Sequence, residues 1–143
     1  MNRLIIVGEL NPYGSDPKFA LYHLPRGASG DRLRQHLGLT DETYERLVKV
    51  NLCAGQWSSL GAKAKAKDLL READVLVLLG SKVRTAFGGP PAFTARITVE
   101  GQVLVSLPHP SGRCRAWAES GARQTARRML DLYVPGVPWG ETP

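Results

Sequence analysis

Short apolar runs alternate along this chain with stretches whose apolar residues recur every three or four positions. Leu4-Ile5-Ile6-Val7 is uniformly apolar and stops at Gly8, which predicts a buried strand. Leu33 and Leu37 stand four apart within residues 31–38, and Gly38 supplies a stop, so a short helix is expected there. Thr40 precedes Asp41-Glu42-Thr43 as a candidate helix cap, with Tyr44, Leu47 and Val48 on the apolar face behind it. Residues 48–52 read as the end of that helix running into a short strand. Residues 62–73 are rich in Ala, Lys and Leu and predict a helix whose lysines are solvated. Val75-Leu76-Val77-Leu78-Leu79 ends at Gly80 and is the clearest buried strand, with a helix expected over 81–87. Residues 95–99 and 102–107 flank Glu100-Gly101 and predict a hairpin, and one last helix is expected over 115–133.

Strand–helix alternation of this kind predicts an α/β fold. The expected form is three layers, α/β/α, around a central, mostly parallel four-stranded sheet. Residues 1–134 form a single domain in this reading, and 135–143, rich in proline and glycine, an irregular tail. In such sheets ligands bind outside the carboxyl ends of the strands. Four segments leave those ends: Gly8–Gly14, Asn51–Ala54, Gly80–Lys82 and Pro108–Arg115.

Composition narrows the picture modestly. A chain of 143 residues holds one core, and 43% apolar with 22% charged residues suits a soluble globular protein. The apolar start is too short for a signal-peptide core and no run is long enough to span a membrane, so a cytoplasmic protein with no membrane partner is expected. Cys53 and Cys114 are too few for a structural zinc site and read as reduced thiols. His23, His36 and His109 lack ligand spacing, so no metal and no cofactor is expected. The net charge of +6 favours a polyanionic partner.

The strand ends supply the candidate chemistry. Gly8-Glu9-Leu10-Asn11-Pro12-Tyr13-Gly14 has neither a phosphate-binding Gly-Lys-Ser/Thr run nor a dinucleotide fingerprint. Asn51 offers an amide, whose adjacent acceptor and donor complement the edge of a nucleobase. His109 is confined between Pro108 and Pro110 and can hold an imidazole donor where negative charge develops. Arg113 and Arg115 follow and can meet phosphates or enter a groove.

These residues resemble the uracil-DNA glycosylase superfamily. Asn11-Pro12-Tyr13 looks like the family's first motif, G-Q-D-P-Y-H or G-x-N-P-G according to branch. Gly27-Ala28-Ser29-Gly30 resembles its G-x-S-G stretch, Val50-Asn51-Leu52 its base-reading strand, and Leu107-Pro108-His109-Pro110-Ser111 its H-P-S motif. The resemblance runs in order from residue 4 to about 130 and implies a short member of the family. The cysteines of the iron–sulfur branches have no counterpart.

The resemblance implies that Asn11 positions the attacking water, Asn51 holds the base edge, and His109 stabilises the departing base. Glu9, which replaces a motif glycine, is an alternative water activator. Tyr13 would screen the base, and Phe19 or Tyr22 would stack on it. Ser111, Gly112, Arg113 and Arg115 would form the loop that wedges into DNA, with Ser29 and Lys82 also on the DNA. The expected function is monofunctional excision of a flipped-out base from single- or double-stranded DNA by a monomer. Uracil-type, mismatched and hypermodified phage bases remain open, as do repair and defence against foreign DNA. A non-catalytic DNA-binding module and a nucleoside or nucleotide hydrolase are the alternatives.

Overall fold

The computed structural model describes residues 3–11 and 20–135. A five-stranded sheet forms the centre: β1 (Leu4–Asn11), β2 (Lys49–Ala54), β3 (Val75–Leu79), β4 (Thr94–Ile97) and β5 (Val103–Leu107), in the order β2-β1-β3-β5-β4. β1, β2, β3 and β5 run parallel, and only β4 is antiparallel, at the edge beside β5. The expected α/β/α architecture holds, with five strands in place of four. The fifth is the first arm of the expected hairpin, which joins the sheet.

The uniformly apolar strands follow from burial on both faces. Side chains alternate across a strand, so Leu4 and Ile6 face one helical layer while Ile5 and Val7 face the other. All five residues of β3 are buried. The first layer holds α1 (Ser29–His36), α2 (Asp41–Arg46) and α5 (Ala122–Tyr133), contributing Leu33, Leu37, Tyr44, Ala126 and Leu130. The second holds α3 (Ser59–Glu72) and α4 (Ser81–Phe87), contributing Ala62, Ala66, Leu69, Val83 and Phe87. None of the helices among the described residues is long and apolar enough to cross a membrane.

Two boundaries and one facing residue differ from the sequence reading. β1 does not stop at Gly8 but continues to Asn11, because Gly8, Leu10 and Asn11 pair with Asn51, Cys53 and Ala54 of β2. Gly8 is therefore a strand glycine kept for close packing, not a terminator. The last helix is split: a 3₁₀ turn, Ala116–Ala118, comes first, and Gly121 at φ 82° resets the chain before α5. Val48 is largely exposed, whereas Tyr44 is fully buried. The Thr40 cap is as expected, its hydroxyl accepting from the Thr43 N–H at 3.1 Å. Lys49 Nζ closes the other end of α2 by donating to the carbonyls of Tyr44 and Leu47 at 2.7 and 2.9 Å. Burial pushes that ammonium down to about 8.

The path of the chain creates a crevice. β1 leads through α1 and α2 on one face to β2, and β2 leads through α3 on the other face to β3. β2 and β3 lie on opposite sides of β1, so the strand order switches there. Connections leave to opposite faces at such a point and open a cleft at the carboxyl ends.

Candidate active site

Along this crevice, in sheet order, stand Asn51 within β2, Gly8 and Glu9 within β1 with Gly8 paired to Asn51, Gly80 just after β3, and His109 after β5. Residues far apart in sequence thus form one row along the sheet edge. The row continues the ladder: the Gly80 N–H donates to the Leu107 carbonyl at 2.9 Å, one step beyond the strands.

Asn51 is the unusual member. Both side-chain amide atoms are buried, and neither has a hydrogen-bond partner among the described residues. Each unsatisfied group of this kind costs about 1–3 kcal/mol, so the pair is a substantial local penalty. The amide occupies space that Gly8 leaves free: a Cβ on Gly8 would overlap the Asn51 oxygen and come within 3.2 Å of the Leu21 side chain. Gly8 therefore makes room for a polar group that the described fold leaves unpaired.

Two structural glycines shape the rest. A Cβ at Gly80 would meet His109 Cβ at 3.2 Å, His109 Cδ2 at 3.3 Å and a Glu9 carboxylate oxygen at 3.5 Å. The Glu9 carboxylate and the His109 ring therefore converge on this glycine, whose φ of 92° also disfavours any side chain. Gly30 plays the same part on α1, where a Cβ would collide with the carbonyls of Leu21 and Tyr22. The Leu21 side chain in turn packs at Gly8, beside the Asn51 amide. Leu21 adopts φ 51°, and its carbonyl is held by the buried Tyr44 hydroxyl at 2.7 Å. Burial raises the Tyr44 phenol well above its usual range, so the hydroxyl stays protonated as a donor.

The loop after β5 fixes His109. The Ser111 N–H donates to His109 Nδ1 at 3.1 Å. A nitrogen that accepts carries no proton, so the ring proton sits on Nε2. The loop is anchored by Trp117, whose indole N–H donates to the Pro108 carbonyl at 3.2 Å. Trp117 is itself held by His36, stacked on it with centroids 4.5 Å apart and planes 3° apart, and by the edge of Phe93. Arg32 joins this loop to the G-x-S-G stretch. Its Nε donates to the Gly27 carbonyl at 3.0 Å, and its guanidinium lies 2.9 Å from where a Gly112 Cβ would be.

The expected site residues divide into three groups. Asn51, Glu9 and His109 stand along one edge. Ser111, Gly112, Arg113 and Arg115 form a half-buried to exposed rim beside His109, Ser29 begins α1, and Lys82 is exposed on α4. Tyr22 is half-buried with its ring 4.7 Å from that of His23. Tyr13 and Phe19 lie outside the described residues, and of Asn11 only the backbone, at the end of β1, is described. Among the described residues no cluster of His, Cys, Asp and Glu could hold a metal, and both cysteines are free.

Sequence reasoning missed Arg32 and Trp57. Trp57 follows β2, and Lys82 lies over its ring at 5.4 Å beside Ser59, Ser81 and Thr85, a cation–aromatic shelf on the flank of the site. Tryptophan next to a strand end was the available signal. No protein-family model matches this chain, and the curated proteins contain no match to it.

Proposed function

We propose that this protein is a monofunctional DNA glycosylase that hydrolyses the N-glycosidic bond of a base flipped out of DNA. The observation that carries this reading is Asn51. A buried amide with neither atom paired, set at the carboxyl edge of a parallel sheet, calls for a planar partner with its own donor and acceptor. A nucleobase edge is such a partner. A base buried in a stack reaches this depth only by extrusion.

The neighbours supply the remaining chemistry. As the glycosidic C–N bond breaks, its electrons leave with the base and positive charge grows on the sugar. His109 Nε2–H donates to the base as that negative charge develops, a contribution of about 3–4 kcal/mol for one well-placed donor. Water adds to the sugar carbon, and Glu9, on the strand between Asn51 and Gly80, accepts its proton. Asn11 at the end of β1 is the alternative group for orienting that water. Arg113, Arg115 and Lys82 are exposed, and in a chain of net charge +6 they favour contact with phosphates.

The test is excision from labelled single strands and duplexes carrying uracil, hypoxanthine, mismatched thymine or a hypermodified cytosine, followed by hot alkali. Strand breakage at one altered base is expected. Intact strands on every substrate would remove the glycosylase reading, and release from free nucleosides alone would replace it with a nucleoside hydrolase.

A further inference from the structure

A second cavity, of about 290 Å³, lies on the α4 side of His109 and is lined by Arg84, Ala92, Ser106, Pro108 and Ala116. Ser106 is only 1% exposed, and its hydroxyl has no hydrogen-bond partner among the described residues. Ser106 follows Val105 on β5, so its side chain faces the α3/α4 layer, opposite in sense to Leu107. Gly89 packs beside both groups: a Cβ there would meet the Leu78 side chain at 2.7 Å and stand 3.5 Å from Ser106 Oγ and Arg84 Cγ. Arg84 is half-buried, and its guanidinium has no hydrogen-bond or ion-pair partner among the described residues. A hydroxyl and a guanidinium are thus left unpaired in one cavity.

Size and polarity decide what fits. Small-molecule pockets run from roughly 300 to 1,000 Å³, so this one takes a single ring system and not a whole nucleotide. Arg84 is the one arginine or lysine in the lining, which otherwise sets Ser81, His109 and Cys114 among alanine, proline and leucine, poor surroundings for a phosphate dianion. Arginine has only donors, whereas a hydroxyl both donates and accepts. The matching group is a ring lactam, its C=O facing Arg84 and its N–H or C=O meeting Ser106. A ring with an amino group in place of the carbonyl would turn donors toward Arg84.

We propose that this cavity is a separate binding site for an oxo-heterocycle of the nucleobase class, free or as an unpaired base within a strand. The site shares His109 as a wall with the crevice but needs neither Asn51 nor bond cleavage. Hypoxanthine and adenine differ at one position of the same skeleton and make the deciding pair of probes.

Amide chemical shifts of the full chain are followed on an Asn51→Ala background, which removes the crevice from the measurement. Hypoxanthine is expected to move the amides of Gly80, Ser106 and Ala116, with adenine at least about tenfold weaker. Ser106→Val is expected to weaken hypoxanthine by about tenfold, and Ala92→Leu to abolish its effect by filling the cavity. A short single strand containing inosine that outcompetes free hypoxanthine assigns the site to an unpaired base; the reverse order assigns it to a free one. Equal binding of adenine, the same shifts with inorganic phosphate, or no response to hypoxanthine would overturn the proposal. Excision by the parent chain without these shifts would refute this site alone, and these shifts without excision by the parent chain would refute the glycosylase alone.

Discussion

Two buried polar groups, Asp31 and Asn51, sit on the same side of the sheet and are treated in opposite ways. Asp31 on α1 is fully buried and accepts from the Gly27 N–H at 2.9 Å, Arg26 at 3.0 Å, Arg34 at 3.1 Å and Gln35 at 2.7 Å. Arg26 and Arg34 continue to Asp41 on α2, tying both helices to the loop that precedes α1. The Asn51 amide has comparable hydrogen-bonding capacity and no partner among the described residues. Folding alone accounts for Asp31, because every lone pair it buries is answered by its own chain. It does not account for Asn51, whose amide a flipped-out base would satisfy under the function proposed above. The contrast separates scaffold from site.

The largest effect that can sharpen this contrast is on catalysis. His109→Ala should lower excision by about 10²–10³ while the melting temperature barely moves, because the ring is half-buried and its contacts are local. Asp31→Ala should do the reverse and destabilise the fold by about 3 kcal/mol in denaturant titrations, stranding two arginines and a backbone amide. A variant that melted normally would show that the network is decoration.

Gly30→Ala should cost roughly 1–3 kcal/mol and also impair excision, since the methyl would displace the carbonyls of Leu21 and Tyr22, and the Leu21 side chain packs beside Asn51 at Gly8. Circular dichroism melts paired with excision rates check both halves.

The smallest effects are in pH. The Gly27 amide, then Arg26 and Arg34, hold the Asp31 carboxyl well below its ordinary value near 4. Its folded pKa is depressed, so its stabilisation is complete above about pH 4 and fades as pH falls below that value. Asp31→Asn should flatten stability in that acid window. His36, buried against Trp117 and facing Arg123 and Arg32, is pushed down to about 4. The unfolded imidazole takes its proton from about pH 6.5 downward, so stability should decline between there and about 4. His36→Phe should remove that slope.

Much of the frame was legible in the sequence, for physical reasons. Doubly buried strands are continuous apolar runs, so Leu4–Val7 and Val75–Leu79 stood out. The hydroxyl cap at Thr40 and the i, i+4 leucines of α1 carry local signals. Asn51, His109 and Glu9 were singled out as candidates because α/β folds place chemistry toward the carboxyl ends of strands, and the structure sets them along one side of the sheet. What escaped depends on contacts distant in sequence. Gly8 looked like a terminator because its reason, the Asn51 amide, lies 43 positions away on a neighbouring strand. Gly121 broke the expected last helix through a left-handed backbone that apolar periodicity does not reveal. The partnering of Asp31, and the lack of it at Asn51, could not be read at all: composition does not show which buried groups are answered.

The most direct measurement pairs stability with excision in Asn51→Ala. The account predicts a melting temperature equal to or slightly above that of the parent chain, since two unsatisfied atoms are removed, together with loss of excision on the one substrate the parent cleaves. A clear fall in melting temperature, or undiminished excision, would contradict it by returning Asn51 to the scaffold.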